Sequence, residues 1–461
     1  ANFYRWYPQG IIIFLAATKP LVDQQMRAVQ AAVGFDPAHV VQMTGSSGPS
    51  AKRRALWQTK RVVFATPQCV EKDIMNASCP QERVVCVVVD EAHHASGKYA
   101  FVNVVESLSK ANIKARIVAL TATPGHDGRK IQGVIDNCMI GKVECRLDDD
   151  PDVAQYTHHR EVELLVVPTD KSLAQLDEIL YEVAREPFSR LRAERLYFVD
   201  TMSEVTRAGV WKAMQQFQEG GRGGGRQATA AFLIQIFHRA LTWASAIEKY
   251  RTHGARELYG TLQKYEGGKT TKHMQYLAKN LLFTELMDML RRAMKNGASH
   301  PKVAHTVRLV REHVETSKGN GGQCSGVLVF TNYRESVKDI VTALNVIEGV
   351  RAAEFVGQGE DSSGMRGMTQ PEQQEVLNMF RQGRVQVLVA TQVAEEGLDI
   401  PQVDLIICFD ASANPTRSVQ RMGRTGRARD GRVVILASEG KEEKTFHQME
   451  PSKNSIARAL K

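Results

Sequence analysis

Asp90, Glu91 and His93 stand within four residues, in the run Asp90-Glu91-Ala92-His93. A carboxylate pair beside an imidazole suits two tasks. An Asp can hold Mg²⁺ against phosphate oxygens, and a neighbouring Glu can orient or deprotonate an attacking water. Taken alone, the pair reads equally well as a solvated turn, since acidic residues commonly begin helices. A second group lies far along the chain. Gln420-Arg421-Met422-Gly423-Arg424-Thr425-Gly426-Arg427 spaces arginines by three, among glycines that let backbone approach closely. Arginine suits planar, multi-point phosphate contact. By itself this segment is a nucleic-acid patch or a solvated helix start. Paired with Asp90-Glu91 it suggests a nucleotide held between two halves, with metal and base on one side and an arginine finger on the other.

The acidic pair needs an element to present it. Val84-Val85-Cys86-Val87-Val88-Val89 precedes it directly and reads as a strand buried on both faces of a parallel sheet. In open α/β sheets, ligands sit outside the carboxyl ends of the strands. Three similar runs surround it: Ile11–Leu15, Arg61–Ala65 and Arg116–Leu120, each ending in a small polar cluster. The alternation returns after His300, in Val327–Phe330, Val385–Ala390, Asp404–Phe409 and Arg432–Leu436. Between them helical periodicity dominates, as in Ser172–Arg195 and Leu277–Met294, with many basic residues. Most of those charges, taken singly, read as a solvated helical surface. The Glu219–Arg226 run, rich in glycine, reads as a loop or linker. The expected fold class is therefore α/β: two doubly wound parallel-sheet lobes, 1–167 and 301–461, with a helical insertion over 168–300.

Length and composition agree with several domains. The chain has 461 residues, 43% hydrophobic and 24% charged. A formal net charge of +9 favours a polyanionic partner without proving one. Seven dispersed cysteines, with no C-x-x-C pair, argue for a reducing compartment and against a structural zinc. No apolar stretch is read as reaching membrane-spanning length, and the start does not read as a signal peptide. The expectation is a soluble intracellular protein.

Taken together, these segments resemble the superfamily-two helicases of DEAH type, over nearly the whole chain. The finer resemblance is to the Fanconi anaemia group M / archaeal Hef branch of DNA translocases. It rests on Ala16-Ala17-Thr18-Lys19-Pro20-Leu21-Val22, Val329–Glu335, Phe355-Val356-Gly357-Gln358 and Glu395-Glu396-Gly397-Leu398-Asp399-Ile400. The resemblance implies RecA-like lobes and a thumb-like insert. It implies ATP and Mg²⁺ as cofactors, with Asp90 and Glu91 serving metal and water and His93 coupling the nucleotide site to the second lobe. Gln420, Arg424 and Arg427 would face the phosphates, with Gly397 and Asp399 near the nucleotide. Thr18, Lys19, Thr44, Gly45, Thr66, Gln68, Thr331, Asn332 and Thr391 would lie along the nucleic-acid backbone. Thr121-Ala122-Thr123 would link the two sites. Hydroxyls, amides and loop N–H groups do suit phosphate contacts that ignore sequence. Seen singly, Thr-rich loops are more often helix caps, and Lys19 alone would be an ordinary surface lysine.

The resemblance also implies forked or branched DNA as partner, repair-complex proteins, a nuclear location and no membrane. A double-stranded-RNA helicase or sensor, and an ATP-blind DNA-binding scaffold, are the competing classes. One departure bears on activity. The phosphate loop G-x-x-x-x-G-K-[ST] is missing: Gly267-Gly268-Lys269-Thr270 comes nearest, but Gln263 stands at the first-glycine position and no buried strand precedes it. The sequence is read as a piece whose first strand and phosphate loop lie outside it, because the other catalytic groups are all present. Such a piece should bind DNA with strong salt dependence and hydrolyse ATP poorly. Ala17, where the family usually has Pro, mainly alters loop stiffness.

Overall fold

A computed structural model describes residues 1–111, 114–122, 124–125, 128–146, 150–156, 158–168, 174–220, 227–266, 272–295, 299–319, 326–359, 366–394, 400–411, 421, 423–426, 429–439, 442–444 and 446–447. Two parallel sheets organise them. The first contains β1 (Ile11–Leu15), β2 (Val40–Met43), β3 (Val62–Ala65), β4 (Val84–Val89) and β5 (Arg116–Ala119), in the order β2-β3-β1-β4-β5. All its pairings are parallel. A parallel sheet must be covered on both faces. Here one face packs Ile11, Ile13, Leu15 and Val87 with Trp57 and Phe101, and the other sets Phe64 and Val62 with Leu21, Val22 and Phe35. The helices of this half are α1 (Asn2–Trp6), α2 (Lys19–Val33), α3 (Ser50–Thr59), α4 (Pro67–Met75), α5 (Ala100–Lys110), α6 (Gly128–Asn137) and α7 (Pro151–Ala154).

The second sheet contains β6 (Arg160–Val167), β7 (Val327–Phe330), β8 (Ala352–Phe355), β9 (Val387–Ala390), β10 (Leu405–Cys408) and β11 (Gly431–Ser438), in the order β6-β11-β10-β7-β9-β8. Its first strand corrects the expected division. β6, counted with the first lobe in the span 1–167, pairs with β11 along its whole length, from Arg160 opposite Gly431 to Val167 opposite Ser438. The cause is hydrogen bonding: β11 offers an unpaired edge, and β6 fills it before the chain enters the helical region.

That region consists of α8 (Ala174–Ala193), α9 (Arg207–Gly220), α10 (Gln227–His253), α11 (Ala255–Leu262) and α12 (Leu281–Lys295). They enclose a core of their own around Leu180, Phe237, Trp243, Ile247, Leu258 and Leu286. The helix expected over Leu277–Met294 is broken. A 3₁₀ run ends at Lys279, and the Asn280 side chain accepts from the Phe283 N–H at 3.2 Å, starting α12 afresh. The glycine run 221–226 lies outside the described residues. The segment Ala230–His253 of α10 is long and apolar enough to cross a membrane, contrary to the reading that no stretch is. Phe237, Trp243 and Ile247 on it are fully buried in protein while Gln235 and His238 are exposed, as in a helix with one face in the core. α13 (Pro301–Gly319), α14 (Arg334–Leu344) and α15 (Gln370–Arg381) cover the second sheet.

Candidate functional site

β4 lies inside the first sheet, between β1 and β5, and stops at Val89. The Asp90 N–H still donates to the Leu15 carbonyl, at 2.9 Å, so the ladder holds Asp90 at the carboxyl edge of the sheet. Glu91 then takes a left-handed backbone conformation, φ 51° and ψ 51°, which is uncommon for a residue with a Cβ. Two hydrogen bonds hold the turn: Glu91 N–H to Asp90 Oδ1 at 3.1 Å, and Ala92 N–H to the Leu120 carbonyl at 2.8 Å. The other carboxylate oxygen, Asp90 Oδ2, accepts from Gln25 Nε2 on α2 at 2.9 Å. His93 Nδ1 lies 3.4 Å from Glu91 Oε2 and 3.2 Å from Thr121 Oγ1. Thus Asp90, Glu91, His93 and Thr121 do meet in one loop cluster, joined by Gln25.

Burial lifts the Asp90 carboxyl above its ordinary range, against the hydrogen bonds from Glu91 and Gln25 and the charge of His93. A desolvated carboxylate of this kind fits a divalent cation, whose charge offsets the desolvation. Among the described residues no group of three or more His, Cys, Asp or Glu could hold a metal ion. A cation here would need oxygens from a ligand, as Mg²⁺ in phosphate sites does.

The loops after β1, β2 and β3 line the same edge. Thr18 caps α2, its hydroxyl accepting from the Leu21 N–H at 3.4 Å. Thr18, Lys19, Gly45 and Gln68 are exposed, whereas Thr44 and Thr66 are buried. Thr44 Oγ1 is hydrogen-bonded to Ser46 Oγ at 2.8 Å, so its hydroxyl holds the loop together. Lys19, Thr44 and Ser46 also line a cleft of about 790 Å³ whose other wall is Gln370, Gln374 and Arg381 of α15. The two lobes therefore face each other across the expected backbone-contacting loops.

On the second lobe Thr331 is fully buried, and its neighbour Asn332 is half-buried. Asn332 and Thr391 line a cavity of about 340 Å³ together with Tyr333 and Arg334, and with Lys249, Glu257, Thr261 and Lys264 of the helical region. Arg421, one of the three spaced arginines, is buried over the Phe330 ring at 5.1 Å. Arg424 is half-buried, its N–H bonded to the Arg421 carbonyl and its carbonyl to Val403 N–H, each at 3.2 Å. Gly397, Asp399, Gln420, Arg427 and Thr123 lie outside the described residues.

Residues 5–131 match the DEAD/DEAH box helicase family, and residues 304–429 match the helicase conserved C-terminal domain. The fold is similar to the crystal structure of the Pyrococcus furiosus Hef helicase domain, with a TM-score of 0.65 and 32% identity, covering 95% of this chain and 89% of that one. The chain belongs to the Fanconi anaemia group M / Hef branch of the DEAD/DEAH box helicases. It is 36% identical to the Fanconi anemia group M protein homolog of Mus musculus over 492 aligned residues, covering the whole chain and 24% of that protein. A protein of Arabidopsis thaliana named DEAD-box ATP-dependent RNA helicase FANCM is 37% identical, over the whole chain and 34% of its own length. The ATP-dependent DNA helicase MPH1 of Pyricularia oryzae is 36% identical over 96% of this chain and 41% of its own length. The chain thus spans about a quarter to two fifths of the length of these curated relatives.

The cavity beside Thr391 contains a desolvated pair. Lys249 Nζ donates to Glu257 Oε1 at 2.6 Å and lies 4.7 Å from the Tyr333 ring centroid. Burial pushes the Glu257 carboxyl up to about 8, with Lys249 opposing the shift. The native state therefore holds a proton that the unfolded chain has released, and stability falls as pH rises from the usual 4.5 to about 8. Glu257→Gln should flatten that fall. Urea midpoints at several pH values across the window check it, and an equally steep fall in the variant refutes the assignment.

Sequence reasoning missed Gln25, whose place on Asp90 leaves no local signal. It also missed the helical-region residues that reach Asn332 and Thr391.

Proposed function

We propose that this chain is the core of an ATP-dependent DNA helicase or translocase that acts on forked or branched DNA in nuclear repair, among repair-complex proteins. The observation that carries the reading is the Asp90-Glu91 turn, held at the carboxyl end of an inner strand in a chain that covers most of the Hef helicase domain. Asp90 and Glu91 would hold Mg²⁺ with ATP, the cation neutralising phosphate charge when bound. Glu91 orients the attacking water, His93 and Thr121 tie that carboxylate to the rest of the first lobe, and Gln25 keeps Asp90 aimed. Gln420, Arg424 and Arg427 would serve the phosphates, and Gly397 and Asp399 the nucleotide. Thr18, Lys19, Gly45 and Gln68 offer exposed groups to a nucleic-acid backbone. Thr44, Thr66 and Thr331, being buried, shape their loops, their backbone N–H groups donating to Ser47 Oγ, the Met43 carbonyl and the Ala390 carbonyl. Asn332 and Thr391 continue the track on the second lobe. Three units share the work: a first lobe ending before β6, the helical insert, and a second lobe that includes β6.

The names of the relatives favour two nucleic acids, since the Arabidopsis protein is called an RNA helicase and the others are not. ATP turnover by the protein extended at its N-terminus through a phosphate loop, measured with forked DNA, linear duplex DNA and duplex RNA, separates them. Forked DNA should stimulate most, and this 461-residue chain alone should turn over ATP more slowly. Stronger stimulation by duplex RNA overturns the DNA reading.

A further inference from the structure

The helical insert touches the second lobe at a buried polar junction with no assigned role. His253 is the last residue of α10, and its side chain is 2% exposed. Both ring nitrogens are engaged by the second lobe. Nε2 lies 3.0 Å from Asp410 Oδ1, and Nδ1 is hydrogen-bonded to Ser336 Oγ in the first turn of α14 at 2.8 Å. The ring meets Tyr333 edge-on at 4.3 Å and stacks on Phe409 at 5.9 Å. These contacts hold the ring between Asp410 and Ser336.

Asp410 is where the junction branches. It follows β10 and is buried. Its second oxygen, Oδ2, accepts from the Asn332 N–H at 2.6 Å. Its carbonyl accepts from Arg421 Nη1, and Arg421 Nη2 reaches Asn332 Oδ1, both at 3.4 Å. Burial would raise this carboxyl, yet His253, Lys302 and Arg421 together hold it down to about 2. Asp410 thus joins the insert and the loop after β7 through its carboxylate, and the arginine that begins the Arg421–Arg424 turn through its backbone carbonyl. Buried polar networks of this kind couple their members, so that moving one side chain disturbs the next.

We propose that His253 is a positioning residue, through which the state of the helical insert sets the placement of Arg424. The inference rests on the helicase reading above. When nucleic acid engages the insert, a shift of α10 moves His253, then Asp410, and with it Arg421 and the turn that carries Arg424. Stimulation of ATP turnover by DNA passes through this junction, while DNA binding does not depend on it.

The test uses the N-terminally extended protein and its His253→Ala and His253→Gln variants. DNA affinity, unstimulated turnover and turnover saturated with forked DNA are measured for each. For His253→Ala the stimulated-to-unstimulated ratio should fall by about tenfold, within the range typical of site-to-site coupling, with DNA affinity retained. His253→Gln, whose amide can still donate to Asp410, should recover part of the ratio. A folded His253→Ala protein with an unchanged ratio overturns the proposal. So does a ratio that falls only because DNA affinity falls. Amide exchange in the unsubstituted protein gives a reading independent of whether the variants fold: forked DNA should slow exchange at the Arg424 N–H, and unchanged exchange refutes the coupling. An unsubstituted protein that no nucleic acid stimulates rejects the helicase reading itself, and the coupling with it. DNA stimulation with an unchanged ratio rejects the coupling alone.

Discussion

Glu91→Gln lowers the DNA-stimulated ATP turnover of the N-terminally extended protein by about 10²- to 10⁴-fold, the usual contribution of a positioned acid–base group, and leaves DNA affinity unchanged. The substitution keeps size and hydrogen-bonding shape while removing the charge. That matters because Glu91 also has a structural task, occupying a left-handed turn at φ 51° that costs on the order of 1 kcal/mol or more for a residue with a Cβ. The turn is held by backbone groups: the Glu91 N–H on Asp90 and the Ala92 N–H on the Leu120 carbonyl. Gln retains both, so a loss of turnover reports the missing carboxylate and not a collapsed loop. Circular dichroism and thermal melting should match the unsubstituted protein. Full turnover in the variant would remove Glu91 from the reaction and leave Asp90-Glu91 as an ordinary capped turn.

A different effect is expected deep in the first lobe. Asp73→Ala destabilises the protein by about 3–5 kcal/mol, the typical cost of stripping one partner from a buried ion pair. Asp73 is fully buried and Arg53 is 4% exposed. Asp73 accepts from Arg53 Nε at 2.8 Å, Trp57 Nε1 at 2.9 Å and Ser50 Oγ at 2.6 Å. Burial pulls its carboxyl up, but these hydrogen bonds and the Arg53 charge outweigh it and leave it below the usual 3.8. A depressed folded value means the stabilisation is complete above the unfolded pKa of about 3.9, and it fades as pH falls through the folded one. Urea unfolding at neutral pH measures the loss. Arg53→Met with Asp73→Leu should recover much of it, since an apolar pair leaves no orphaned charge. A single Asp73→Ala variant as stable as the parent would show that water reaches Arg53. The network also matters for the site, because Arg53 holds the Gly48 carbonyl at the end of the loop that carries Thr44 and Gly45.

The strands inside the sheets read clearly from the sequence, and of the four edge strands only β5 did, through the run Arg116–Leu120. β1, β4 and β7 coincide with continuous apolar runs, and their side chains are enclosed on both faces. The three strands with no such run, β2, β6 and β8, are all sheet edges. An edge strand is half in solvent, so its pattern mixes: β6 reads Arg-Glu-Val-Glu-Leu-Leu-Val-Val, with Val162 and Val166 exposed. Helix ends were legible where a cap marks them, as Thr18 does for α2, and illegible at Asn280, where periodicity continues through a backbone break. Of the expected backbone-contacting residues, type alone could not separate exposed Thr18 from buried Thr44, Thr66 and Thr331.

By itself the sequence determined that two α/β halves flank a helical segment, and that an acidic pair follows a strand buried on both faces. Those features are written in contiguous residues, where burial repeats with a local period. Tertiary structure alone decided that β6 completes the second sheet, that Gln25 supports Asp90 from 65 residues away, and that His253 of the insert meets Asp410. Each of these joins partners whose neighbours in the chain carry no mark of the meeting. Hydrogen-bonding capacity belongs to a single side chain, and its use is settled by whatever the folded backbone brings within about 3 Å of it.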